Sequence, residues 1–107
     1  MIRVAIVEDD PRTRDVIVAR CQRQSGFKVV GDWESADHAA EDADWAHIDV
    51  LVVDLELPGS LSAIGLIGRA RQANRRILPI VHTIHDARDA LFAAIQAGAT
   101  GYVLKGD

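Results

Sequence analysis

The sequence predicts a single α/β domain built on an open, doubly wound parallel sheet with helices on both faces. Five short β-branched runs alternate along the 107 residues with helix-like stretches. Those stretches are about a dozen residues long, as expected for helices between strands. The β-branched runs are continuously apolar, which is typical of strands covered on both faces. The chain, taken as one domain over 1–107, is long enough to bury a core without disulfides.

Local signals mark where each predicted element begins and ends. The predicted strands cover Ile2–Val7, Phe27–Gly31, Ile48–Asp54, Ile77–His82 and Thr100–Leu104. Asp10, followed by a proline, marks the start of the first helix, because aspartate caps helix N-termini and proline suits the first helical position. Ser35 caps the second helix, and the third covers 63–73. Asp86 caps the fourth helix, which ends at Gly98.

These connections favour a flavodoxin-like sheet with the strand order 2-1-3-4-5. Because crossovers between parallel strands are right-handed, the first helix is predicted on one face and helices two to four on the other. The fifth helix expected after Leu104 is missing or truncated. We therefore expect the chain to be the N-terminal part of a longer protein. A homodimer that covers the bare face is the alternative.

Composition excludes several classes of protein. The chain has 12 Lys and Arg against 16 Asp and Glu, a net charge of −4. That balance argues against direct nucleic-acid binding by this domain, because phosphate contacts need a basic excess. Cys21 is the only cysteine, which excludes an intrachain disulfide and a zinc module. No apolar run has the length of a membrane span or a signal peptide, and we expect a reducing, cytoplasmic location.

Polar side chains stand at the carboxyl ends of four predicted strands. Glu8 and Asp9 follow the first strand, and Asp54 ends the third. Thr83 and Lys105 stand at the ends of the fourth and fifth strands. Ligands of such sheets bind at the carboxyl ends of the strands, near the point where the strand order reverses. We therefore expect these five side chains to converge on one ligand.

The chemistry of this set indicates phosphoryl transfer. Three carboxylates in one pocket stay ionised only if a cation joins them, and hard oxygen ligands suit Mg²⁺. The Thr83 hydroxyl and the Lys105 ammonium can bind phosphoryl oxygens. Asp54 then serves as the nucleophile, while the metal and the lysine neutralise charge on the transferring group.

Four motifs in this order resemble the receiver domain of two-component response regulators. They are Val-Glu-Asp-Asp-Pro at 7–11, Asp-Leu-Glu-Leu-Pro at 54–58, Val-His-Thr at 81–83 and Gly-Tyr-Val-Leu-Lys at 101–105. Each motif alone is weak, but all four at strand ends form a specific pattern that spans nearly the whole chain.

The resemblance implies that Asp54 accepts a phosphoryl group from a phosphohistidine of a sensor histidine kinase. It also implies how Mg²⁺ is held. Asp9 and Asp54 would bind the ion directly. Glu8 would act through a metal-bound water, and Glu56 through its backbone carbonyl.

The resemblance further implies a switch. Thr83 and Lys105 would bind the phosphoryl oxygens, and Tyr102 would move inward when Thr83 is drawn to the phosphate. The domain would be a regulator that catalyses its own aspartyl phosphorylation and dephosphorylation, not a turnover enzyme. An output domain beyond residue 107, with DNA binding as one candidate activity, would then control transcription.

Three other interpretations compete with this one. A phosphorylation-independent, degenerate receiver would act only as a protein-interaction module, and the bulky Ile84 after Thr83 is the one feature in its favour. An aspartyl-nucleophile phosphatase needs a second aspartate where this chain has Glu56. A nucleotide or flavin binder needs a glycine-rich phosphate loop, and the chain has neither GxGxxG nor a P-loop lysine motif.

Overall fold

A computed structural model of the protein describes residues 1–83 and 88–104. The strands are β1 (Ile2–Val7), β2 (Phe27–Trp33), β3 (Val50–Val53), β4 (Leu78–Thr83) and β5 (Gly101–Leu104). The helices are α1 (Pro11–Arg23), α2 (Ala36–Asp42), α3 (Ala63–Ala73) and α4 (Arg88–Ala97), with a 3₁₀ turn at Trp45–His47. The predicted bounds of β1 and α3 are confirmed, whereas β2 continues past Gly31 to Trp33.

The five strands form one parallel sheet in the order β2-β1-β3-β4-β5, as predicted. Strand β1 lies between β2 and β3 and pairs with both. Its register with β2 shifts between Val4 and Ala5. Its register with β3 is regular and pairs Val7 with Val53 at the carboxyl end. This last pair brings the residues that follow both strands to one edge.

Helix starts follow the side-chain signals in the sequence. The Asp10 carboxylate caps α1 by accepting hydrogen bonds from the backbone N–H of Thr13 at 3.3 Å and from its hydroxyl at 2.6 Å. The Ser35 hydroxyl caps α2 by accepting from the His38 N–H at 3.1 Å. Gly98 follows α4 with a φ of +119°, a left-handed conformation that glycine adopts without strain. The cap predicted at Asp86 lies outside the described residues.

The main hydrophobic core lies between the sheet and helices α2, α3 and α4. It is made of alternate strand residues and small or branched helix residues that are at most 8% exposed: Ala5, Val7, Leu51, Val53 and Val81 from the sheet, and Ala36, Ala39, Ala63, Leu66, Ile67, Ala70 and Ala94 from the helices. Helix α1 instead contacts β1 and β2. The predicted division of the helices between two faces is therefore confirmed.

The face that carries α1 is less completely covered. Side chains alternate between the two faces of a strand, and Val4 and Ile6 are buried on this side. Farther along the same face, Leu78 and Val103 are 47% and 46% exposed. Among the described residues, coverage of this face thus decreases from β1 towards β5.

Two side chains are more exposed than the helical spacing predicts. The spacing places Ile95 with Ala94 on the apolar face of α4, but Ile95 is 55% exposed whereas Ala94 is buried. The spacing of Cys21 from Ile17 predicts a buried thiol, but Cys21 is only half-buried, and α1 has no fully buried residue. Helix α1 therefore lies on the sheet more shallowly than its apolar residues indicate. No helix within 1–83 and 88–104 has the length and apolar character needed to cross a membrane.

An ion pair joins β1 to the residue before β3 at the amino edge of the sheet. The Arg3 side chain donates to Asp49 from Nε at 3.0 Å and from Nη2 at 2.9 Å, and the Arg3 backbone N–H donates at 2.8 Å. These hydrogen bonds lower the pKa of the Asp49 carboxyl from 3.8 to about 2, and those from the Arg3 side chain have the largest effect. A carboxyl group whose pKa is lower in the folded state stabilises the fold at any pH above its pKa in the unfolded state. This stabilisation is lost as the pH falls through the pKa of the folded state.

We therefore expect Asp49→Asn to lower the thermal midpoint at pH 7, with a deficit that shrinks as the pH falls from about 4 towards 2. The effect is modest, since both side chains are partly exposed and solvent screens the pair. Thermal unfolding followed by circular dichroism between pH 2 and 7 measures it. Asp15→Asn, at an exposed position of α1, is the matched control. A deficit that stays constant with pH would contradict the role assigned to the ion pair.

Candidate functional site

Three carboxylates meet at the carboxyl edge of the sheet, where β1 and β3 end. Glu8 and Asp9 follow β1, Asp54 follows β3, and one oxygen of each lies within 4.8 Å of the others. The backbone N–H of Asp54 donates to the Val7 carbonyl at 3.1 Å, which extends the pairing of the two strands by one residue. Glu8 is 1% exposed and Asp54 is 5% exposed, whereas Asp9 is open to solvent. The predicted convergence of these three residues is therefore found.

Nearby backbone groups fix two of these carboxylates. The N–H of Asp10 donates to Glu8 Oε2 at 3.2 Å, and the N–H of Glu56 donates to Asp54 Oδ1 at 3.1 Å. In both cases the donor lies two residues after the acceptor, and for Asp54 this is the turn that aspartate commonly forms with its own backbone. The two carboxylates are thereby oriented before any ligand binds.

The acidic cluster fits a divalent cation with hard-oxygen preference. Two of its three members are nearly buried, where mutual repulsion and desolvation both disfavour charged carboxylates. A cation bound among them would offset both costs, and carboxylate oxygens are the ligands that Mg²⁺ takes in proteins. Among the described residues, Glu8, Asp9 and Asp54 are the group that could hold a metal ion.

Thr83 is the last residue of β4 and is fully buried. It pairs with Leu104 at the end of β5, so both strands reach the same edge as the acidic cluster. Lys105 comes next in the chain and lies outside the described residues, as does Ile84. The phosphoryl-binding role of Lys105 therefore stays a prediction.

Glu56 and Tyr102 have different surroundings. Glu56 is exposed, and its backbone is tied to Asp54. Tyr102 is half-buried in β5 and packs against the main core. The metal-ligand role predicted for the Glu56 carbonyl and the switch role predicted for Tyr102 also stay predictions.

Sequence reasoning missed two residues that organise this edge. Arg14 of α1 donates from Nη1 to the Glu8 carbonyl at 2.8 Å, and its Nε lies 3.4 Å from Asp32 Oδ1 of β2. It thereby ties the acidic turn to the edge strand. Asp37 of α2 accepts hydrogen bonds from the loop between Asp54 and α3. For Arg14, the sequence offers only a cation in the first turn of α1. For Asp37, it offers only an acidic residue in the first turn of α2, which is common at helix N-termini.

Comparison with known proteins agrees with this geometry. The model of the response regulator receiver domain matches residues 4–106. A nitrate/nitrite response regulator homologue of Haemophilus influenzae is 32% identical over 97% of this chain and 50% of its own length. The nitrate/nitrite response regulator NarP of Escherichia coli is 32% identical over 96% of this chain and 47% of its own length. The chain thus spans about half the length of these curated relatives.

Solved structures agree as well. A LuxR-family two-component response regulator from Aurantimonas sp. SI85-9A1 superposes with a TM-score of 0.87 at 30% identity, covering 98% of this chain and 74% of that one. RcsB of Salmonella enterica serovar Typhimurium, bound to the promoter rprA in the presence of the phosphomimetic BeF₃⁻, superposes with a TM-score of 0.86 at 25% identity, covering 100% of this chain and 89% of that one. With its sheet order, its acidic cluster and a family match over nearly its whole length, the chain belongs to the response regulator receiver domains.

Proposed function

We propose that this domain is a phosphorylation-dependent switch in which Asp54 accepts a phosphoryl group from a sensor histidine kinase. The observation that carries the proposal is the meeting of Glu8, Asp9 and Asp54 at one edge of the sheet, with Asp54 nearly buried and oriented by the Glu56 N–H. Family membership supports it. An intact acidic cluster argues against a degenerate receiver, which would not need three carboxylates in a buried, mutually repelling arrangement.

In the proposed reaction a carboxylate oxygen of Asp54 attacks the phosphorus of a phosphohistidine. A new P–O bond forms as the P–N bond breaks, and the leaving imidazole nitrogen keeps the bonding electron pair. To return the domain to its unphosphorylated state, water attacks the phosphorus of the aspartyl phosphate. The P–O bond to Asp54 then breaks, which releases inorganic phosphate and a proton and restores the carboxylate.

The chain's own residues orient and hold the reacting groups. The Glu56 N–H donates to Asp54 Oδ1 and so helps to orient this carboxylate. Asp9 and Asp54 would hold Mg²⁺ directly and Glu8 through a bound water, with the Glu56 carbonyl as a further ligand. Mg²⁺, when bound, neutralises charge on the phosphoryl oxygens. The domain would in this way catalyse its own phosphorylation and dephosphorylation.

Thr83 and Lys105 would bind the phosphoryl oxygens once they arrive. The position of Thr83 supports this role, because Thr83 is buried at the end of β4, the strand that pairs with β3. Movement of its hydroxyl towards the phosphate would leave space that Tyr102 of β5 fills. The face formed by α4 and β5 would then change, which is the signal that a partner reads.

We also propose that this receiver controls a separate output domain beyond residue 107, in a cytoplasmic transcription regulator. The curated relatives are about twice as long as this chain and include transcriptional regulatory proteins. The RcsB structure is of a response regulator bound to a promoter. The negative net charge of this domain leaves DNA contact to that output domain.

The test is intact-mass spectrometry after incubation with acetyl phosphate, with Mg²⁺ or with a chelator. We expect one added phosphoryl group with Mg²⁺ and little or none with the chelator, because the three carboxylates repel an anionic donor unless a cation neutralises them. If acetyl phosphate fails, a histidine kinase partner is the second donor. A folded protein that accepts a phosphoryl group from neither donor would favour the degenerate, interaction-only receiver.

A further inference from the structure

One side chain of α2 holds the loop that connects the nucleophile to α3. The Asp37 carboxylate accepts hydrogen bonds from the backbone N–H of Ser60 at 3.0 Å and of Leu61 at 3.2 Å. These residues lie 23 and 24 positions from Asp37 in the chain. The contact is therefore tertiary, and it joins α2 to the loop that follows Asp54.

The loop is shaped to fit this carboxylate. Gly59 has a φ of +100°, a left-handed conformation that a residue with a side chain adopts only with strain. A Cβ at Gly59 would also overlap the Asp37 carboxylate. Glycine thus suits this position for the turn, and a side chain here would also displace the Asp37 carboxylate.

The same loop begins at the acidic cluster. Its first residues follow Asp54, and the Glu56 N–H is bonded to Asp54 Oδ1. Its last residue, Ser62, caps α3 by accepting from the Gly65 N–H at 3.0 Å. Between these two ends, the Asp37 hydrogen bonds and the packing of Leu57 and Leu61 against the core fix the path of the loop. If Asp37 were removed, the loop would keep its ends and this packing but lose the polar constraint at Ser60 and Leu61.

We propose that Asp37 is a positioning residue that holds residues 55–62 in the path that keeps the Glu56 backbone beside Asp54, and so sets the affinity of the site for Mg²⁺. This inference rests on the function proposed above, since it takes the acidic cluster to be a Mg²⁺ site. Asp37 acts through the loop and does not touch the reacting groups. Residues that orient metal ligands from behind typically change metal affinity by roughly 10-fold or more when they are replaced.

The experiment is calorimetric titration of the apo protein with Mg²⁺, comparing the wild type with Asp37→Ala and Asp37→Asn. We expect Asp37→Ala to weaken Mg²⁺ binding roughly 10-fold. Asp37→Asn keeps one acceptor oxygen and nearly the same shape. The Mg²⁺ affinity of this variant should therefore lie between those of the wild type and Asp37→Ala. Glu41→Gln is the matched control. It removes one negative charge from an exposed position of the same helix, and it should leave the affinity unchanged.

A second readout separates positioning from a general loss of stability. In ¹H–¹⁵N spectra of the apo protein, the amide signals of Ser60 and Leu61 should move upfield in Asp37→Ala, because they lose a charged acceptor. Signals of β1 and α1 should stay in place. The asparagine variant provides the same test if the alanine variant does not fold.

Unchanged Mg²⁺ affinity in a folded Asp37→Ala variant, with wild-type protein that binds Mg²⁺ and accepts a phosphoryl group, would overturn this inference alone. An equal loss of affinity in Glu41→Gln would also overturn it, because the effect would then be one of net charge. Wild-type protein that binds no Mg²⁺ would overturn both this inference and the proposed function.

Discussion

Asp54→Asn is expected to abolish phosphorylation of the domain. An amide oxygen is a far weaker nucleophile than a carboxylate oxygen, and the substitution also replaces one metal-ligand oxygen by an N–H₂ group. The side chains have nearly the same shape, so the 5% exposed position should accept asparagine without repacking. Intact-mass spectrometry with acetyl phosphate and Mg²⁺ should show no added phosphoryl group.

Asp9→Asn is the matched comparison, since it removes the same charge from the same cluster but leaves Asp54 in place. We expect it to be phosphorylated more slowly and to need more Mg²⁺ for the same rate. Both variants should be at least as stable as the wild type without Mg²⁺, because each relieves repulsion among the three carboxylates. A phosphoryl group that still adds to Asp54→Asn but not to Asp9→Asn would mean that Asp9 is the acceptor.

Leu66→Ala is expected to destabilise the core strongly. Leu66 lies in α3, is fully buried, and belongs to the cluster shared by the sheet and three helices. Truncation of a buried leucine to alanine removes apolar contacts and leaves a cavity, which lowers the free energy of unfolding by about 2–5 kcal/mol. Domains of this size are stable by only roughly 5–15 kcal/mol.

Urea unfolding followed by circular dichroism measures this loss. The thermal midpoint should fall by at least about 10 °C, given the shift per kcal/mol expected for a chain of this length. Phe92→Ala is the control. Phe92 is a larger side chain, but it is 63% exposed on α4, so its removal should change the unfolding free energy by only about 0.5 kcal/mol. Equal losses in the two variants would mean that the core does not lie where the burial pattern indicates.

Much of this architecture follows from local chemistry. The short, continuously apolar and mostly β-branched run at 50–53 favours a strand covered on both faces. Asp10 and Ser35 are good N-caps in isolation and cap helices in the fold. The alternation of strands and helices then favours the flavodoxin-like sheet order, and with it the strand ends that meet. The right-handed crossovers place the helices on the two faces of that sheet. The convergence of Glu8, Asp9 and Asp54 could therefore be predicted before any coordinates were known.

The sequence alone thus determined the helices and strands, their order in the sheet and the acidic cluster at the sheet edge. Each of these depends on a short-range pattern or on a general rule of topology. Only the tertiary structure decided that Asp37 holds the Ser60 and Leu61 amides and that Arg14 binds the Glu8 carbonyl. Only it decided how deeply Cys21 and Ile95 are buried. The physical reason is that such contacts depend on the distance and rotation between packed elements, to within about one ångström for a hydrogen bond. No periodicity along the chain encodes that quantity.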